Sequence, residues 1–335
     1  MRTVRTLDLH ATPTTASAAA AIVAGMTTTT SSAIRVEGLT KSYGGRVAVD
    51  RLSFDLPRGV VAGFIGPNGA GKTTTMAMLL GLVEPSAGTG EVLGTPLAQP
   101  STYVPQVGAL IEGPALYPGL TGAENLQVLA AMGGKDKANI PELLELVGLA
   151  DRGGDRFGQY SLGMKQRLGI AGAMLGEPEL LILDEPTNGL DPIGMREIRE
   201  LIARVATEQR TVLVSSHLLT EIEQVCDWLV VIERGTSVYA GPAGEFLGGA
   251  EPTVSVAPER PADLATLARL FAADGREVDI TPDRLLVAVG DGDARTVAAQ
   301  LNRVAHEHGI VLAELGQRHR NLEDRYLNVV QGGIR

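Results

Sequence analysis

Apolar and polar residues alternate over "AIRVEGL" (33–39) and "RLSFDL" (51–56), the period-two pattern of half-buried strands. "VVAGFI" (60–65) is apolar throughout, as expected of a central strand covered on both faces. It runs directly into "GPNGAGKTTT" and then "MAMLLGLV", whose apolar residues have helical spacing. Residues 121–150 also have helical spacing, with a break at "GGKDKANIP". Three later runs read as buried strands. "ELLILDEP" (179–186) ends in carboxylates, "RTVLVSSH" (210–217) ends in a histidine, and "DWLVVIERG" (227–235) follows them. Strands that alternate with helices predict a mainly parallel α/β sheet with its chemistry at the carboxyl ends of the strands.

Gly and Pro accumulate over "GPAGEFLGGAEP" (241–252), which predicts a linker. Beyond it, residues 253–335 read as strand "TVSVAP", helix "ADLATLARLFAADG", strands "REVDI" and "RLLVAVG", helix "ARTVAAQLNRVAHEHG" and strand "VLAEL". The order βαββαβ suits a small C-terminal α+β domain of ferredoxin-like type. Ahead of the first strand, residues 1–32 read as a disordered N-terminal extension. Its most apolar run, "ASAAAAIVAG" (16–25), is far too short to span a bilayer. Two arginines precede that run, as in a signal peptide, but its core is mostly alanine. A disordered tail, or a true start at Met26, fits it better.

The 335 residues suffice for one large domain and a smaller one. Aromatic residues are only 4% of the chain, so its core must be built from Ala, Val, Leu and Ile. A net charge of -10 argues against a general nucleic-acid binder, because phosphate backbones reward clustered Lys and Arg. One cysteine, Cys226, rules out an internal disulfide and fits a reducing cytoplasm. The five histidines lack the paired spacing of metal ligands.

"GPNGAGKT" (66–73) matches G-x-x-x-x-G-K-[ST] between a predicted strand and a predicted helix, as a phosphate loop requires. Gly66, Pro67, Asn68, Gly69, Ala70 and Gly71 would wrap phosphates with backbone N–H groups, continuing into Thr74. Lys72 would reach the β- and γ-phosphates of ATP, and the Thr73 hydroxyl would ligate Mg²⁺. In "LLILDEP", Asp184 would hold the same Mg²⁺ through water and Glu185 would act as general base on the attacking water. His217 ends a neighbouring strand and is either a γ-phosphate contact or a structural histidine. "YSLGMKQR" (160–167) opens another helix, where Ser161 and Gly163 would gather free N–H groups and a hydroxyl into a second anion site. Ser161 is also a plain N-cap residue.

Phosphate loop, "SLGMKQR", "LLILDEP", "TNGLD" and "SSH" occur in the order and approximate spacing of an ATP-binding cassette (ABC) subunit, and the chain resembles that family over residues 33–240. The resemblance implies an α/β fold: a P-loop NTPase cassette with a RecA-like core, an antiparallel β subdomain and a helical subdomain at roughly 105–175. In that family the signature segment completes the ATP site of an opposing subunit. Ser161 and Gly163 would then bind the γ-phosphate held by another chain's Lys72, with two ATP molecules buried at the seam. Tyr43 in "KSYGG" matches the aromatic residue that stacks on adenine. Asp191 in "NGLD" matches the acidic residue that couples the two sites, and His217 the switch histidine. Glu112 in "LIEGPALYPGLTGAENL" matches a lid-loop glutamine that ligates the metal, while Gln106 is out of register. Leu162 and Met164 replace a glycine and a glutamine of the usual signature.

These variants, and "NLEDRYLNVV" (321–330), are similar to the branch of cassettes that drive export, bacitracin- and lantibiotic-type transporters among them. The resemblance implies separate transmembrane permease subunits as partners, a second copy of the chain or a homologous cassette, and a peripheral place on the cytoplasmic face of the membrane. No nucleic-acid partner is expected. An importer subunit shares every catalytic motif and stays open. A soluble ABC protein acting on ribosomes or DNA would carry two cassettes or long coiled coils, which this sequence lacks.

Overall fold

The computed structural model describes residues 32–136, 139–246, 253–290, 292–318 and Tyr326; the expected N-terminal extension lies outside them. Two long strands, β1 (Ser32–Tyr43) and β2 (Arg46–Pro57), pair antiparallel and are joined by β4 (Ala87–Val92) and β5 (Thr95–Pro96). The central sheet contains β3 (Val61–Ile65), β6 (Val107–Leu110), β7 (Leu180–Leu183), β8 (Thr211–Ser216), β9 (Trp228–Glu233) and β10 (Thr236–Pro242). Their order is β10-β9-β3-β8-β7-β6, parallel except for β10.

Successive side chains of a strand point to opposite faces, and here both faces are covered. Val61 and Ile65 of β3 enter one core while Ala62 and Phe64 enter the other. Leu181 and Leu183 of β7 likewise oppose Leu180 and Ile182. The first core is closed by helices α2 (Gly122–Gly133), α3 (Ile140–Leu146), α4 (Leu162–Ala173) and α5 (Pro192–Val205). The second is closed by β1 and β2 and by α1 (Lys72–Leu79). Each fully buried Leu, Ile or Val contributes about 1.5–3 kcal/mol, so the uninterrupted apolar strands are the main stabilising element. Among the described residues no helix is long and apolar enough to cross a membrane.

Side-chain caps fix where the helices begin. Thr121 and Glu124 form a reciprocal capping box on α2, at 3.2 Å and 2.8 Å. The hydrogen bonds from Thr121 hold the Glu124 carboxyl below its ordinary pKa. Ser161 caps α4 and Asp191 caps α5, which places two of the expected site residues at helix starts.

The hydrophobic pattern predicts none of β4, β5, β6 and β10. β4 reads "AGTGEV" and buries only its last residue fully, so no alternation marks it. β6 is four residues long, and Gly108 lets it approach the end of α4 so closely that a Cβ there would lie 1.9 Å from the Ala173 carbonyl oxygen. Because β6 pairs with β7, residues 107–110 belong to the central sheet, and the first long helix beyond it starts only at Gly122. The expected linker also starts later than 241: Gly241 and Pro242 end β10, and Ala243 and Phe246 are buried in the first core.

The C-terminal unit contains β11 (Thr253–Pro258), α6 (Leu264–Ala273), β12 (Val278–Ile280), β13 (Leu285–Ala288), α7 (Ala294–Glu307) and β14 (Leu312–Arg318). Its strands are all antiparallel, in the order β12-β13-β11-β14. Val254, Val256, Leu285 and Val287 share one face and pack with both helices into a core of their own. Of the segment 321–330 only Tyr326 is described, and it packs against the first core of the cassette.

Candidate active site

The chain leaves β3 at Ile65, turns through Gly66–Gly71 and enters α1 at Lys72. Gly71 has φ 102°, a conformation that L side chains avoid, and a Cβ there would sit 2.6 Å from the Ala48 carbonyl oxygen. The turn leaves the first N–H groups of α1 without intrahelical partners, which makes an anion site at the sheet's carboxyl edge. Tyr43, Asn68, Gly69, Gly71, Lys72, Thr73, Thr74, Glu185 and His217 line one cleft of about 600 Å³. Gly66, Pro67 and Ala70 do not line it: Gly66 and Pro67 present carbonyl oxygens to Lys72, and Ala70 is buried.

Lys72 is only 6% exposed, and a buried ammonium needs partners. Its Nζ donates to the Gly66 carbonyl at 2.8 Å and lies 3.2 Å from Glu185 Oε1. The other Glu185 oxygen is 2.7 Å from Nδ1 of His217, so the carboxylate bridges ammonium and imidazole. Neighbouring Asp184 turns the other way, accepting from the Thr73 hydroxyl at 2.8 Å and from the Ser215 hydroxyl. Adjacent acidic residues at the end of β7 thus serve separate networks. Glu185 itself has φ 47°, unusual for a side-chain-bearing residue, and its N–H donates to Ser215 Oγ at 2.9 Å.

Ser161, Gly163 and Asp191 lie together in a different cavity of about 320 Å³, with Leu162 at its wall. Ser161 Oγ accepts from the Met164 N–H at 3.3 Å, and Asp191 Oδ1 accepts from the Gly194 N–H at 2.8 Å. The methyl end of Leu162, the residue that departs from the family pattern, is 3.2 Å from where a Cβ on Gly189 would be. Gly66, Pro67, Ala70, Asp184 and Glu112 are the expected site residues that line neither cavity, Asp184 being buried behind Thr73. After β6 the backbone swings away through left-handed conformations at Glu112 (φ 57°) and Gly113 (φ 91°), which leaves the Glu112 side chain exposed.

Sequence reasoning missed Ser215, Asn188 and Arg46. Ser215 is completely buried and joins Asp184 to the backbone of Glu185. Its signal was a serine inside an apolar strand one residue short of the histidine pair "SH", where burial demands a hydrogen-bond partner. Arg46 and Asn188 line the larger cleft, and Arg46 pairs with Tyr43 across the β1–β2 hairpin.

The family profile described as ABC transporter matches residues 49–188. The bacitracin transport ATP-binding protein BcrA of Enterococcus faecalis is 38% identical over 307 residues, covering 90% of this chain and 97% of that one. The lantibiotic transport ATP-binding protein SrtF of Streptococcus pyogenes is 42% identical over 202 residues, covering 60% of this chain and 87% of that one. A solved structure titled "Structure of ATP binding subunit of ABC transporter" aligns with a TM-score of 0.57 at 33% identity, covering 64% of this chain and 91% of that one. Identity at this level along most of the chain decides the kinship: the protein belongs to the ABC transporter family, as one of its ATP-binding ATPase subunits.

Proposed function

We propose that this chain powers export, working as a head-to-tail pair that closes on two ATP molecules. The observation that carries the reading is the division of the site residues between two cavities. Lys72, Thr73, Glu185 and His217 line one; Ser161, Gly163 and Asp191 line the other. The second cavity offers a hydroxyl, the N-terminus of the twelve-residue α4 and Arg167, whose guanidinium lies 3.8 Å from Glu197, and so has the donors of an anion site. Set over another chain's first cavity, it would supply donors to the outer phosphate.

Within one half, the loop N–H groups and Lys72 take the phosphates, and Tyr43 offers its ring to the base. Glu185 orients the attacking water and accepts its proton, while His217 holds the carboxylate from the far side. Thr73 Oγ1 and Asp184 Oδ2 are 2.8 Å apart, hard oxygen donors of the kind that suit Mg²⁺. Among the described residues no cluster of three or more His, Cys, Asp or Glu could hold a metal alone, so phosphate and water would complete the shell. Mg²⁺ held there would neutralise charge on the transferred phosphoryl group. Glu112 is given no part in this arrangement.

The export direction is supported by relatives named for bacitracin and lantibiotic transport. A third cavity of about 340 Å³, walled by Leu110, Ile111, Pro114, Leu116 and Leu129, suits the cytoplasmic helices of separate permease subunits. The chain would then work peripherally on the cytoplasmic face of the membrane. The β-α-β-β-α-β unit at the C-terminus is read as a ferredoxin-like accessory domain.

The test is a pull-down. A tagged Glu185→Gln chain, held in ATP and Mg²⁺, is recovered from gently solubilised native membranes and sized by chromatography. The expected result is an ATP-dependent dimer accompanied by a multi-spanning membrane protein. A chain that stays monomeric in ATP rejects the paired arrangement, and ribosomal or DNA-associated proteins without a membrane partner reject transport.

A further inference from the structure

Lys41 lies outside the cleft, yet its ammonium sits over the ring of Tyr43, 5.1 Å from the centroid. The same Nζ donates to the Glu84 carbonyl at 2.7 Å. Two further bonds fasten the end of β1 to this segment: the Ser42 N–H to Ser86 Oγ at 3.1 Å, and the Ser86 N–H to the Thr40 carbonyl at 2.8 Å. Glu84 follows closely on α1, the helix whose N-terminus forms the phosphate site. Tyr43 itself is 50% exposed, and among the described residues its hydroxyl has no hydrogen-bond partner to hold the ring in one orientation, while the ring lines the cleft that Lys41 does not line.

We propose that Lys41 is a positioning residue for the purine: its ammonium, over Tyr43 from outside the cleft, holds that ring as the platform on which the base stacks. The proposal rests on the reading of Tyr43 as the base-stacking residue. Two physical effects act in the same direction. A half-exposed tyrosine otherwise loses rotamer freedom when a base lands on it, and an ammonium already seated on the ring removes part of that loss beforehand. The faces of tyrosine and of a purine both carry negative quadrupole charge, which disfavours direct face-to-face contact. An ammonium over the ring draws that density away and so lessens the repulsion that a stacked base would meet. The tie to Glu84 sets the platform relative to α1, so base and phosphate sites keep a fixed spacing.

The test uses the purified full chain and two probes: the slowly hydrolysed analogue AMP-PNP, and inorganic tripolyphosphate, which has no base. Lys41→Met should weaken AMP-PNP binding about two- to five-fold, the range for a cation–π contact at an exposed site. Tripolyphosphate affinity should not change, and KM for ATP should rise by the same factor while kcat holds. Lys41→Arg, which also stacks its charge on aromatic faces, should restore binding. In a Tyr43→Ala background, Lys41→Met should add nothing. Equal weakening of tripolyphosphate, an undiminished effect in the Tyr43→Ala background, or failure of Lys41→Arg to rescue would each overturn the proposal. A Tyr43→Ala chain that binds AMP-PNP as tightly as the parent would instead reject the base-stacking reading itself, and the platform with it.

Discussion

Lys72 and Glu185, the two residues assigned to phosphate and to water, are paired with each other at 3.2 Å. Glu185 is therefore both the counter-charge of a buried lysine and the neighbour of His217. Phosphate oxygens arriving at Lys72 would replace the carboxylate, which frees it to face the attacking water. Glu185→Gln should lower ATP hydrolysis by roughly 10²–10⁴-fold, the range for loss of a general base. Nucleotide affinity should hold or improve, because a neutral amide competes less well for Lys72. Phosphate release and nucleotide titration on one preparation check this; affinity falling in step with rate would show that Glu185 acts mainly by organising the loop.

Ser215 is the hinge between the two acidic networks. Its hydroxyl donates to Asp184 and accepts the Glu185 N–H, whose backbone sits at φ 47°. Ser215→Ala leaves a buried carboxylate short of a donor and an N–H without its acceptor, about 1–3 kcal/mol for each unsatisfied group. Thermal unfolding should occur several degrees lower, and hydrolysis should fall by at least about ten-fold with AMP-PNP affinity little changed. An unshifted melting temperature would mean that water replaces the hydroxyl.

Strands β3, β7, β8 and β9 of the parallel sheet were legible in the sequence because they are covered on both faces and so read as largely apolar runs. The phosphate loop and the "DE" pair were legible for a different reason: their spacing is dictated by phosphate chemistry rather than by packing. β6 was not legible, since four residues with a glycine among them carry no periodicity. Its place is set by Gly108 and the Ala173 carbonyl, a contact between segments far apart in the chain. Ser215 stood inside a quoted motif but had no assigned work, because only the fold brings it to Asp184. Glu112 shows the opposite case. A motif alignment gives it a register, while the left-handed turn after β6, which leaves its side chain exposed outside the cleft lining, carries no signal in the sequence.

Cys226 should be chemically silent in the folded chain. It is 8% exposed, and burial together with the neighbouring Asp227 charge pushes its thiol pKa well up. The thiolate is the reactive form, so a disulfide reagent such as DTNB at pH 8 should label it very slowly in the native protein and fully after guanidinium denaturation. Rapid native labelling would show that the segment between the short helical turn Leu219–Glu223 and β9 opens readily. ATP should not accelerate the reaction, because Cys226 packs in the core on the helical side of the sheet, away from the cleft.

Asp293 gives the C-terminal unit a pH dependence of known sign. Its Oδ2 accepts from both the N–H and the hydroxyl of Thr296, each at 3.0 Å, at the start of α7. The backbone bond from Thr296, followed by the hydroxyl bond, holds this carboxyl below its ordinary pKa. The folded pKa therefore lies below the unfolded value of about 3.9. The cap contributes fully at pH above that unfolded value, and the contribution is lost as pH falls through the folded one. Asp293→Asn keeps a capping oxygen but removes the charge that favours a helix N-terminus. Amide hydrogen exchange within 294–307, measured on parent and variant side by side, should be faster in the variant near neutral pH. The difference should shrink as both are taken toward pH ~3, where the parent carboxylate begins to protonate. A difference that persists unchanged into acid would mean that the asparagine perturbs the helix by shape rather than by charge, and no difference at neutral pH would mean that the cap does not support α7.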